Sequence, residues 1–135
     1  MILSALPLSS ERRRSTIYGA NETTEQIAVV GYCQAIGIPI VHIPNEGKRS
    51  AVTGAQLKQM GMRRGFPDLF IPLARRGFHG LFIEMKYGKG RLSTEQREWL
   101  SRLSDEGYGV CVCYSADEAI GKINKYIKED NNGTV

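Results

Sequence analysis

Two short apolar runs, Asp68–Leu73 and Leu81–Lys86, lie on either side of Arg76, and the stretch joining them, Arg75-Arg76-Gly77-Phe78-His79-Gly80, is basic and carries two glycines. Paired runs of this kind around a glycine-bearing turn predict an antiparallel hairpin. A hairpin centred on Arg76 has a fixed register, and that register sets Asp68 directly across from Glu84. Opposed residues in such a pair have Cβ atoms only ~4.5–5.5 Å apart. Side chains alternate along a strand, so Glu84 and Lys86 share one face while Leu81, Ile83 and Met85 occupy the other. Two carboxylates held that close repel each other unless a divalent cation lies between them.

The rest of the chain supplies the layers that such a hairpin needs. Thr23-x-x-Gln26 reads as a capping box opening a helix to about Ala35, apolar on most sides and closed by Gly37. Ile38–Ile43 reads as a strand whose pairing starts after Pro39. Pro44-Asn45-Glu46-Gly47 is a loop, and Thr53–Met60 is a short helix ended by Gly61. Beyond the hairpin, a helix opens at Ser93 or Thr94 and ends near Gly107, Gly109–Tyr114 is a continuous apolar strand, and a last helix runs from Ser115 or Asp117 to about Lys128. A hairpin feeding a crossover helix and another strand implies an α/β domain: a mixed four-stranded sheet flanked by helices, in the order α-β-β-β-α-β-α. Residues 1–20 are expected to be an N-terminal arm, 21–128 one folded domain, and 129–135 a polar tail.

Composition narrows the class. At 135 residues the chain buries a core without staples, and no apolar run approaches the ~20 residues that span a bilayer. The cluster Arg12-Arg13-Arg14 follows the apolar start Met1–Leu8 rather than preceding it, the wrong order for a secretory signal, so a cytoplasmic location is expected. Cys33, Cys111 and Cys113, with only His42 and His79, lack the spacing of a zinc site; Cys111 and Cys113 are expected to fill one side of a buried strand.

The net charge of +4 hides an asymmetry. Residues 48–91 hold ten Lys or Arg against two acids, a net +8, and those acids are Asp68 and Glu84. A basic surface draws in a polyanion, and two acids at its centre require a separate explanation. Asp68, Glu84 and Lys86 converging on one point suit metal-assisted hydrolysis of a phosphodiester. Lys48, Arg49, Arg63, Arg64, Arg75, Arg76, Lys89 and Arg91 are the candidate nucleic-acid-binding residues, contacting phosphates without reading bases. On the helix after the hairpin, Gln96, Leu100 and Leu103 fall on one stripe, which turns a polar amide toward the sheet and toward Glu84 and Lys86. Trp99, Ile120, Ile123 and Ile127 are read as core.

The motifs Pro44-Asn45-Glu46-Gly47-Lys48-Arg49-Ser50, Gly65-Phe66-Pro67-Asp68, Glu84-Met85-Lys86 and Ser93-x-x-Gln96 together resemble the VRR-NUC family, a branch of the PD-(D/E)XK nuclease superfamily, and in particular its small stand-alone bacteriophage members. The similarity covers about residues 22–128. A lone Glu-x-Lys carries little information; four motifs in order on suitable elements carry much. The resemblance implies the PD-(D/E)XK nuclease fold, with Asp68 and Glu84 as metal ligands, Glu25 on the first helix completing the set, Lys86 as the catalytic lysine and Gln96 beside it; Glu22, three residues before Glu25, is the alternative acid on that helix face. It implies Mg2+ or Mn2+ as cofactor, DNA as partner, and a homodimer that cuts four-way junctions in viral replication or repair. Other readings of the same residues are a nuclease acting on nicked, flap or single-stranded nucleic acid, or on RNA, and a DNA-binding module without catalysis.

Overall fold

A computed structural model of the chain describes residues 20–44 and 51–128. The expected arm, the tail, and Lys48 and Arg49 lie outside the described residues. The elements are α1 (Glu22–Ala35), β1 (Val41–His42), α2 (Ala51–Gln59), β2 (Leu69–Ile71), β3 (Leu81–Met85), α3 (Thr94–Asp105), β4 (Gly109–Cys113) and α4 (Ala116–Ile127). The four strands form one sheet in the order β1-β2-β3-β4. The first two neighbouring pairs are antiparallel, and β3 with β4 is parallel. The mixed sheet flanked by helices is thus the one that the sequence predicts.

The hairpin register agrees as well. Leu69 pairs with Ile83, Phe70 with Phe82 and Ile71 with Leu81, so one further step brings Asp68 opposite Glu84. The turn is tight: Arg75 bridges Phe78, and Arg76 and Gly77 between them have φ of 53° and 84°. Two successive left-handed residues give the turn type whose twist matches paired strands.

Each face of the sheet has its own filling. Leu69, Ile71, Leu81, Ile83, Met85 and Cys113 point to one side and meet Val29, Tyr32 and Cys33 of α1 and Ala119, Ile120 and Ile123 of α4. The helices there are tied by a hydrogen bond from Tyr32 Oη to Asn124 Oδ1, 2.8 Å. On the other side, under α3, Phe66, Phe82, Trp99, Phe70 and Tyr108 form a chain of mostly edge-to-face ring contacts, with centroids 4.3–6.2 Å apart. Ile120 and Ile123 are core, as their spacing implies, and Ile127 is half-buried against it; Trp99 is half-buried on the other side, against Phe66.

Several boundaries differ from the sequence reading. The first helix is capped by Asn21, whose side chain accepts from the Thr24 N–H while Thr24 returns the bond, so Thr23-x-x-Gln26 is not the capping box. That helix is not apolar all round in effect, since Ile27 stays 59% exposed. The first strand shrinks to two residues because Ile38 is held by Cys33 O, continuing the helix end, and Pro39 supplies no donor. Strand β4 is an edge strand, half-buried at its centre, and the Lys122 ammonium covers its outward Val112 carbonyl. No helix among the described residues is long and apolar enough to cross a membrane.

Candidate active site

The ends of β2 and β3 farthest from the turn carry two acids that the packing has taken out of water: Asp68 is 6% exposed and Glu84 1%. Asp68 sits just before β2 begins, behind the buried Pro67, where no strand partner remains for the Met85 N–H. Its own carboxylate takes that place, with Oδ2 accepting from Met85 N–H at 2.9 Å. The acid is thereby locked to the strand that bears Glu84.

Glu84 is held from the opposite side by α3. Ser93 and Gln96 form the capping box of that helix: the Ser93 hydroxyl accepts from the Gln96 N–H, and Gln96 Oε1 accepts from the Ser93 N–H at 2.8 Å. With its oxygen committed, the Gln96 amide can offer only its NH2, and Nε2 donates to Glu84 Oε2 at 2.9 Å. Helix capping and site construction are therefore the same pair of bonds. Of the two partners toward which its stripe turns it, Gln96 bonds Glu84 and not Lys86. The close approach needs Gly65: a Cβ there would lie 2.7 Å from the Glu95 backbone, and its φ of +87° suits glycine. Phe66, next along, packs against Trp99 and Phe82, so the Gly65-Phe66-Pro67-Asp68 stretch seats α3 and delivers the acid together.

Lys86 continues the Glu84 face, with its ammonium 3.9 Å from Glu84 Oε2 and its side chain 14% exposed. One long ion pair does not satisfy the carboxylate. Glu84 Oε1 is buried with no hydrogen-bond partner among the described residues. Burial first, then the neighbouring Asp68 charge, push the Glu84 carboxyl up from 4.5 to about 9; Lys86 works against this, and Glu22 adds to it.

That last contribution relocates one expected ligand. Glu25 does not join the pair: its Oε1 accepts from the Ala116 N–H at 2.8 Å, at the first residue of α4, where the helix leaves donors open. Glu22, one helical turn earlier, is the α1 acid whose charge Glu84 feels. Among the described residues, no three His, Cys, Asp or Glu side chains are already drawn together as a cation cage. The donor set nevertheless suits a hard divalent ion, because it consists of carboxylate oxygens, one of which is buried and unpartnered. His42 also borders the site unforeseen, with Nδ1 3.0 Å from Asp68 O and 3.1 Å from Gln26 Nε2.

These features match a known family. The VRR-NUC domain model matches residues 21–117. The chain belongs to the VRR-NUC family. A solved structure described as a VRR_NUC domain protein is 31% identical, covering 81% of this chain and 89% of that one, with a TM-score of 0.70. No curated protein matches the chain. This VRR-NUC chain is accordingly a nuclease-type domain whose partner is nucleic acid.

The basic residues divide between two ends of this VRR-NUC domain. Arg63 and Arg64 precede Asp68, and Lys89 and Arg91 follow Lys86, in loops beside the acids. Arg63 is also used structurally, donating to Lys58 O and Met62 O at the end of α2. Arg75 and Arg76 sit at the hairpin turn, six or more residues from Glu84 and therefore roughly 20 Å away along an extended strand. They are not part of the acidic pocket.

Proposed function

We propose that the protein is a divalent-metal-dependent, structure-selective DNA endonuclease of the Holliday-junction-resolving type, acting in viral replication or repair as a homodimer. The observation that carries the reading is the Asp68–Glu84 pair, kept buried beside Lys86 with Glu84 Oε1 unpartnered. A domain has no stability reason to hold two acids there, since burial of one penalises the other.

Asp68 and Glu84, with Glu22 in place of Glu25, would hold Mg2+ or Mn2+. The bound ion would neutralise the scissile phosphate and acidify a water. Around it, the chain's own groups divide the work. Gln96 donates to Glu84 Oε2 and fixes the carboxylate's direction, leaving Oε1 turned to the site. Lys86 keeps its ammonium at the mouth, where it orients the nucleophile or offsets charge that grows on the phosphate. Arg64, Lys89 and Arg91 are exposed around that mouth and position the backbone without reading sequence. No element among the described residues resembles a base-reading helix in a major groove, which favours selection by DNA shape. Two sites related by a twofold axis suit the paired strands of a four-way junction.

The test is a cleavage panel of four-way, flap, nicked and single-stranded DNA with Mg2+ or Mn2+, run on the wild type beside Glu84→Ala. Metal-dependent cutting of the junction, lost with EDTA and in the variant, is expected. Cutting that survives EDTA would refute the mechanism, and equal cutting of every substrate would refute the junction preference.

A further inference from the structure

A second concave surface lies at the turn end of the sheet, away from the acids. It has a volume of about 390 Å3 and lies between the hairpin turn, the start of β4 and the last turns of α4. Its walls combine rings and cations: Phe78, Tyr108 and Tyr126 with Arg76, Lys122 and Lys125. Phe78 is 42% exposed, with Tyr126 tilted 34° to it at 6.4 Å, a gap too narrow for a third ring. Phe78 is thus an aromatic ring partly open to solvent, with Tyr126 beside it. Tyr126 is immobilised by donating to Leu73 O at 2.6 Å.

The cations are not equivalent. Lys122 is occupied, 3.2 Å from Glu118 and bonded to Val112 O. Arg76 makes one long bond, 3.4 Å, to Lys125 O, and among the described residues no carboxylate pairs with Arg76 or Lys125. Arg76 also holds a left-handed φ of 53°, the sole non-glycine among the described residues to do so. Asn, Asp or Gly would occupy that turn position with less strain. A guanidinium kept where the backbone disfavours it, beside a partly open aromatic ring and a free ammonium, marks a ligand with a flat ring and a negative group.

We propose that this cavity is a second nucleic-acid subsite, which takes one unstacked nucleotide of a single strand, its base on Phe78 and its phosphate between Arg76 and Lys125. The inference rests on the nuclease reading for the identity of the polymer. The separation of roughly 20 Å from Glu84 corresponds to at most about six nucleotides, the number spanned at the stacked duplex rise of ~3.4 Å per nucleotide. The subsite would thus engage a nucleotide unpaired within about six nucleotides of the cut, as at a branch point, and help select branched over plain duplex DNA.

The test uses the full chain without metal and two DNAs: a flush duplex, and the same duplex with a single-stranded tail of about ten nucleotides bearing 2-aminopurine near the sixth. The wild type is expected to bind the tailed DNA about tenfold more tightly and to change the 2-aminopurine emission. Arg76→Gly, which relaxes the backbone and so keeps the fold, should remove most of that preference and lower the salt slope by about 0.7, because one phosphate is no longer neutralised. Phe78→Leu should abolish the emission change. Both variants should bind flush duplex as the wild type does. A wild type that binds both DNAs alike, or a preference untouched by both variants, would overturn the subsite. A change of oligomeric state in the variants without loss of tail preference would overturn it too, making the cavity an interface between copies. Failure of the wild type to cut a four-way junction with Mn2+ added, while the tail preference persists, would sink the nuclease reading and not the subsite.

Discussion

The two faces of the sheet are made of different materials. Toward α1 and α4, Leu69, Ile71, Ile83 and Met85 are fully buried among Val29, Ile123 and Cys33. Toward α3 the filling is aromatic, and at its end it gives way to Glu84, 1% exposed, with one oxygen unpartnered. Adjacent residues of one strand serve the two purposes: Ile83 and Met85 stabilise, while Glu84 between them opposes stability. The aliphatic face holds the frame rigid enough for the opposite face to carry a charge it would otherwise expel. Strain of this kind is expected where function and not folding chose the residue.

The largest effect that could break this contrast is on activity. Lys86→Ala should lower the cleavage rate about 10^3-fold, ~4 kcal/mol of transition-state stabilisation, with circular dichroism and melting temperature near those of the wild type. A comparable loss of stability instead would make Lys86 a structural ion-pair partner of Glu84. Next in size, Ile83→Ala should cost about 3 kcal/mol in urea unfolding, because the site lies in a filled aliphatic core, while the folded fraction still cuts DNA.

A smaller effect has the opposite sign. Glu84 has its carboxyl raised to about 9, so the folded state binds that proton more tightly than the unfolded chain does. Its contribution is therefore most favourable below pH 4.5 and is lost as the pH rises toward 9, the reverse of an ordinary paired carboxylate. Glu84→Gln should accordingly stabilise the metal-free protein by about 1–3 kcal/mol at pH 8, with the gain vanishing near pH 4, as read by melting across pH. Equal stability of the two proteins at every pH would mean that Glu84 carries no such burden.

Much of this was legible in the sequence because the hairpin is a local device. Counting about Arg76 places Asp68 opposite Glu84, a register that the structure reaches with one extra residue on the β2 side, since Arg75 bridges Phe78 while Ile71 pairs with Leu81. The Gln96 stripe was legible for the same reason, since helical spacing alone turns it to the sheet with Leu100 and Leu103. What lay hidden depended on long-range neighbours. Glu22 and Glu25 stand one turn apart, and only the arrival of α4, whose Ala116 N–H takes Glu25, separates them. The division of the arginines between two ends also escaped a charge count, which registers residues 48–91 as one patch although the hairpin carries Arg75 and Arg76 away. The Ser93-x-x-Gln96 capping box was visible as a pattern, but its second task, aiming the amide at Glu84, needs Gly65 to let α3 come close. Thr23-x-x-Gln26 shows the same pattern without the role, because Asn21 offers the better cap two residues earlier.

The most direct measurement is the melting temperature at pH 8 with EDTA and with Mn2+, for the wild type and Glu84→Gln side by side. An ion at about a hundredfold excess over its dissociation constant adds ~2.7 kcal/mol, several degrees in a domain of this size. The wild type should rise by that amount, from the lower starting point, and the variant should barely respond. A wild type indifferent to Mn2+, or a variant that gains as much, would contradict a cation held by the buried acids.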